Sequence, residues 1–193
     1  MPLPAEKPRY TLADCLEWEE NERIEIINGE AYMMAPPLLE HQRICGALFA
    51  QLYNYLEGKR CQVFAGPFGV RLFERDGDRP EDVDTMVEPD ISVICDSSKL
   101  DKYGCKGAPD LIIEILSSST RRHDRLVKLG LYQRAGVREY WIVNPEDKTV
   151  QVMLQDGAGS LRLHEDYGRD DMAKVNVLED CLIELSKVFP EAE

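Results

Sequence analysis

Glu114 stands inside the run PDLIIEIL, flanked by Leu111, Ile112, Ile113, Ile115 and Leu116. An ionised carboxylate in that setting is costly without a compensating charge, so a metal, a lysine or arginine, or a proton must neutralise it. The preceding apolar run, VEPDISVI, offers a second carboxylate, Asp90. Two carboxylates on neighbouring strands can converge on one cation. Hard divalent ions take oxygen ligands, and Mg²⁺ uses one or two carboxylates while keeping several waters and phosphate oxygens. Asp90 with Glu114 suits that sparse ligation. The competing reading is a buried carboxylate paired to Arg or Lys, or one exposed at a strand end.

After Glu114 comes SSSTRRHDRLVK, a run of hydroxyls at an expected helix start followed by four Lys/Arg residues against one Asp. Free N–H groups at a helix N-terminus favour an anion, and local cations add to that, so phosphate fits here. On this helix Arg121, Asp124, Arg125, Lys128 and Tyr132 share one face by i, i+3 and i+4 spacing. Lys128 can therefore point back towards the strand end. The alternative is an ordinary Asp124–Lys128 surface pair, worth little. His41 begins a long helix beside two prolines and could contact the same site or simply cap and pack; His123 and His164 carry no site signal. No G-x-S-x-G elbow, Walker A loop or G-x-G-x-x-G occurs, which removes the basic features of serine hydrolases, P-loop NTPases and Rossmann enzymes.

The elements that must position these groups follow from local patterns. Thr11 with Asp14 predicts a capped helix over 11–21. RIEIINGEAYMM predicts strands at 23–27 and 30–35 joined by Asn28-Gly29, the dipeptide suited to a type I′ hairpin. Ile44, Leu48, Leu52 and Leu56 mark a long amphipathic helix over 38–57, ending near Gly58. Strands are expected at 61–65, 68–74, 87–94, 109–116, 138–144 and 149–155, with a helix over 120–135 and a short strand or helix in CLIELSKVFP. ERDGDRPEDVD reads as a solvated loop, because Pro80 and Glu81 stand where an EF-hand needs other residues. The run at 109–116 is apolar on both faces, so it should be a central strand covered on each side. The fold class is α/β (α+β), a mixed sheet with helices, in a single domain over 1–193.

Hydrophobic residues make up 44% of the 193, enough for a core without disulfides or structural metal. No apolar stretch reaches membrane-spanning length, and MPLPAEKPRY lacks the apolar run of a secretory signal, so a cytoplasmic address without membrane contact is expected. Six cysteines are scattered without a C-x-x-C pair and are expected to be reduced, mostly buried thiols. Net charge is −13, which on its face disfavours a nucleic-acid partner. The distribution of charge points the other way: 99–138 holds nine Lys/Arg against four Asp/Glu, a basic segment inside an acidic protein.

Asp90 within EPD, Glu114 within PDLIIEIL and Lys128 on the following helix resemble the PD-(D/E)XK nuclease superfamily. More narrowly, RIEIINGE, the Pro-Pro-x-x-x-His start of the long helix, EPDISVI, PDLIIEILSSST, D-x-x-x-K-x-x-x-Y and GVREYWIVNP resemble the bacterial putative restriction endonuclease family, abundant in cyanobacteria, over about residues 10–188. The resemblance implies a restriction-endonuclease-like core in which Asp90 and Glu114 hold Mg²⁺ or Mn²⁺ and Lys128 supports the attacking water. It also implies Glu25 as an auxiliary acidic ligand and a homodimer, with His41 a second auxiliary residue. Leu116 stands where the superfamily signature E-x-K would place the lysine, so that role falls to Lys128.

The leading expectation is metal-dependent hydrolysis of DNA phosphodiester bonds, with Arg121, Arg122 and Arg125 on the flanking backbone, contacts that carry no base specificity. One alternative is a catalytically weak or inactive nucleic-acid or protein-interaction module of the same fold. Another is a phosphoesterase acting on small nucleotides.

Overall fold

The computed structural model describes residues 9–18, 23–117 and 127–189. Thr11 opens α1 (Leu12–Cys15), its N–H bonded to Asp14 Oδ2 at 2.9 Å as the capping pattern requires, though the helix is a single turn. β1 (Ile24–Ile27) and β2 (Glu30–Met33) form the expected hairpin. Asn28 and Gly29 take φ of 52° and 85°, the two positive values of a type I′ turn. α2 (Leu39–Leu56) buries Ile44, Leu48, Leu52 and Leu56, the stripe expected from their spacing.

β3 (Gln62–Ala65), β4 (Val70–Arg71) and β5 (Ile91–Ile94) follow. The strands expected at 68–74 and 87–94 are shorter for a local reason. A bond from Glu74 N–H to Arg71 O turns the chain after β4, while Val87 bridges to Val70 and Pro89 has no N–H to continue a ladder into β5. Then come β6 (Leu100–Asp101), β7 (Gly104–Lys106), β8 (Leu111–Ile115) and α3 (Leu129–Ala135), the last being the described part of the helix expected over 120–135. The chain closes with β9 (Glu139–Asn144), β10 (Thr149–Gln155), β11 (Leu161–Gly168), β12 (Met172–Lys174), β13 (Leu182–Glu184) and α4 (Leu185–Val188).

The main sheet has six strands in the order β11-β10-β9-β8-β5-β3, with β8 parallel to β9 and the other neighbours antiparallel. All five residues of β8 are buried, as a strand covered on both faces requires. Leu111, Ile113 and Ile115 pack with α2 and the β12–β13 hairpin, whereas Ile112 and Leu116 pack with Leu131, Tyr132 and Tyr140. By the period of two, Glu114 falls on the second of these faces, among aromatic and aliphatic side chains.

Cys61 and Cys95 lie just beyond the Gln62↔Ile94 pair of β3 and β5 and are joined by a disulfide, which corrects the expectation of reduced thiols. Their pairing is a consequence of strand register between residues 34 apart, which spacing alone does not reveal. Cys105 and Cys181 are buried thiols, while Cys15 and Cys45 are half-buried. Among the described residues no helix is long and apolar enough to cross a membrane.

Candidate functional site

Lys128 stands at the N-cap of α3, and its side chain runs back to the C-terminal end of β8. Its Nζ donates to Glu114 Oε1 at 2.8 Å and to Glu25 Oε1 at 3.0 Å. Side-chain exposures of 2%, 3% and 5% for Lys128, Glu25 and Glu114 exclude a surface pair. One turn along α3, Tyr132 donates its hydroxyl to the same Glu114 Oε1 at 2.5 Å. Burial, then the negative charge of Glu114 and Glu25, pushes the Tyr132 phenol well above its ordinary range, so it keeps the proton it donates to Glu114. Its ring packs edge-on against Tyr140 at 5.0 Å.

Glu25 comes from β1 and is fixed from a second direction by the backbone N–H of Glu88, 2.9 Å from the same Oε1. Among the described residues two carboxylates thus share one ammonium in a buried setting, where each charge is costly to desolvate. Glu88 adds a third carboxylate nearby. Burial raises its pKa, with Arg23 opposing through an Nε bond of 3.2 Å to Oε2.

Asp90 precedes β5 by one residue, and continuing the Ile91↔Ile113 register places it across from Glu114. Its Oδ2 accepts the N–H of Ile115 at 2.8 Å, which pins the carboxylate beside the residue that follows Glu114. The same oxygen meets His41 Nε2, from the first turn of α2, at 3.2 Å. Burial pulls the His41 pKa down, but the hydrogen bond and charge of Asp90 outweigh it and the net shift is upward. His41 Nδ1 is buried with no hydrogen-bond partner among the described residues.

The structure therefore brings Glu25, Glu114 and Lys128 into one buried cluster and sets Asp90, paired with His41, on the N–H of Ile115, the residue after Glu114. Arg121, Arg122 and Arg125 lie outside the described residues. Sequence reasoning placed Tyr132 on the right helix face but gave it no role, and it missed the Arg23–Glu88 pair. The i+4 spacing of Tyr132 from Lys128 was the available signal for the first; the second joins residues 65 apart and left none.

Among the described residues no three His, Cys, Asp or Glu side chains form a metal-holding group. Asp90 and Glu114, opposite one another in the extended β5–β8 register, offer only oxygen donors, which fits a hard divalent ion that takes two protein carboxylates and keeps the rest of its shell as water or phosphate. A cavity of about 150 Å³ opens beside Asp90, between α2 and the Ala65–Gly66 corner. A larger cleft of about 470 Å³, between Tyr55 and Val177–Asp180, contains none of these groups, so volume does not identify the site.

The Uma2 family profile, described as putative restriction endonuclease, matches residues 12–186. The "uncharacterized protein slr1290" of Synechocystis sp. is 28% identical over 155 residues, covering 79% of this chain and 77% of that protein. In fold, the chain is similar to the crystal structure of a putative nuclease belonging to DUF820 from Anabaena variabilis. The TM-score is 0.70 at 20% identity, over 93% of this chain and 97% of that one.

Proposed function

The chain belongs to the Uma2 putative restriction endonuclease family, and from that premise we propose that it is a divalent-metal-dependent endonuclease hydrolysing DNA phosphodiester bonds. The observation that carries the reading is the Lys128 ammonium buried between Glu25 and Glu114, with the Asp90 carboxylate held on the N–H of Ile115, the residue after Glu114. Asp90 and Glu114 would hold Mg²⁺ or Mn²⁺, which supplies Lewis-acid polarisation of a phosphoryl oxygen and acidifies water. Lys128 places a fixed positive charge where negative charge develops, in a site from which bulk water is largely excluded. Glu25 and Tyr132 are positioning residues: the first holds Lys128, the second holds Glu114. Arg121, Arg122 and Arg125 would contact the flanking phosphates, and two such sites in a homodimer would address both strands.

The test is nicking of supercoiled plasmid with Mg²⁺ or Mn²⁺, combined with calorimetric Mn²⁺ titration. Wild type should nick only with metal, and Asp90→Ala should lose both nicking and metal affinity. Nicking that persists undiminished in Asp90→Ala and Glu114→Gln would overturn the assignment. One observation favours an inactive binding module instead: Glu114 Oε1 is already engaged by both Lys128 and Tyr132. That reading requires no metal-dependent nicking and no change of metal affinity in Asp90→Ala.

A further inference from the structure

We infer that the cleft beside Asp90 seats the nucleobase adjacent to the cleaved phosphate, an inference that rests on the nuclease reading above. His41, Gln42, Cys45, Gly46 and Phe49 form one wall, on a single face of α2, and Asp90 stands at its inner end. Gly46 is the informative residue. It lies within an 18-residue helix, where glycine weakens the helix relative to alanine. A glycine can be required by close packing, as at Gly104, where an added Cβ would stand 2.1 Å from Gly69 O. At Gly46 an added Cβ meets no atom of the described residues within 4 Å, so their packing does not demand it. What the missing side chain leaves is room in the cleft.

The wall chemistry suits a base. The Asp90 carboxylate is offset by the Arg23 guanidinium, which also lines the cleft, so the neutral ring and amide groups set what it takes. Phe49 offers an aromatic surface, itself backed by Tyr53 at 5.9 Å and 26°, and rings of this kind stack bases of any identity. The Gln42 amide both donates and accepts, as a base edge requires. His41 Nδ1, a wall residue's polar atom without a partner, is a further group a base could satisfy after a small adjustment. The cleft and the proposed metal carboxylate share Asp90, so a base seated there is the one next to the reacting phosphate.

The test uses Gly46→Leu, which fills the cleft from a position with no neighbours to displace, with Gly46→Ala as a control too small to fill it. Binding of a fluorescein-labelled duplex is measured by anisotropy in a Glu114→Gln background, and plasmid cut ends made by the otherwise wild-type enzymes are sequenced. Gly46→Leu should weaken binding at least about 10-fold and flatten base preference next to the cut, while Gly46→Ala binds like the parent. Gln42→Ala should flatten the preference with binding retained, and it serves as the second variant should Gly46→Leu not fold. Unchanged binding and cut-site composition in Gly46→Leu and Gln42→Ala would overturn the cleft assignment and leave the nuclease reading standing. A protein that binds DNA without nicking, and loses binding on Gly46→Leu, would keep the cleft and sink the hydrolytic reading. Absence of DNA binding altogether would sink both.

Discussion

Two glutamates are buried in adjacent parallel strands, and the protein satisfies them in opposite ways. Glu139 opens β9 and, among the described residues, accepts from neutral groups: Trp141 Nε1 at 2.7 Å, Val177 N–H at 2.8 Å and Asn176 Nδ2 at 3.4 Å. These bonds tie the segment before Leu178 to the sheet, and no second carboxylate competes for them. Glu114, near the other end of β8, is held by an ammonium and a phenol, and it shares the ammonium with Glu25. Both side chains are buried, so burial alone does not separate the two settings. The difference is the kind of partner: among the described residues Glu139 accepts from neutral donors, whereas Glu114 accepts from a buried ammonium that it shares with Glu25.

That contrast is broken hardest at Lys128. Lys128→Met removes the ammonium that Glu25 and Glu114 share and should cost about 3–5 kcal/mol by urea unfolding at pH 7, with nicking abolished. A melting profile equal to wild type would mean the two carboxylates never depended on the ammonium. Glu139→Ala should cost about 2–4 kcal/mol, because Trp141 Nε1 and Val177 N–H lose their acceptor, while nicking measured well below the melting temperature stays within about twofold.

Glu114→Gln should reverse that pattern, with nicking down about 100-fold or more and unfolding free energy changed by less than about 1 kcal/mol, since an amide oxygen still accepts from Lys128 and Tyr132. If the Glu114→Gln protein lost stability and kept its rate, the two glutamates would have exchanged roles.

The smallest effect lies at the Glu139 end. Burial first, and the charge of Glu139 in addition, raise the Cys181 thiol to about 11, with Lys59 opposing. A raised folded pKa means the neutral thiol is favoured: the contribution to stability is intact below the unfolded thiol's ordinary value and is lost as pH rises through about 11. Iodoacetamide mass spectrometry should find Cys181 unmodified in the folded protein at pH 8, and Glu139→Gln should move its onset of labelling to lower pH.

The β8 end was legible in sequence because its signals are local. Glu114 and Asp90 are ionisable residues in apolar runs, and Lys128 lies on a helix face that returns to the strand. Glu25 entered only through family resemblance, since its reach to Lys128 spans 103 residues and depends on where the β1–β2 hairpin docks. Tyr132 reads as an ordinary core aromatic until its hydroxyl is seen on Glu114. Glu139 escaped notice for the same reason that Glu114 did not: it begins its strand instead of interrupting one. The disulfide and the split of the 87–94 strand are set by pairing across the sheet, and β11, a sheet edge with five consecutive exposed residues, lacks the alternation that marks a half-buried strand.

The most direct test is a crystal structure of the protein soaked with Mn²⁺, read by anomalous scattering. The expected result is a peak within coordinating distance of both Asp90 and Glu114 and none at Glu139. Strong scattering elsewhere with nothing at the β8 end, in crystals of protein that nicks DNA with Mn²⁺, would contradict the assignment of these two carboxylates.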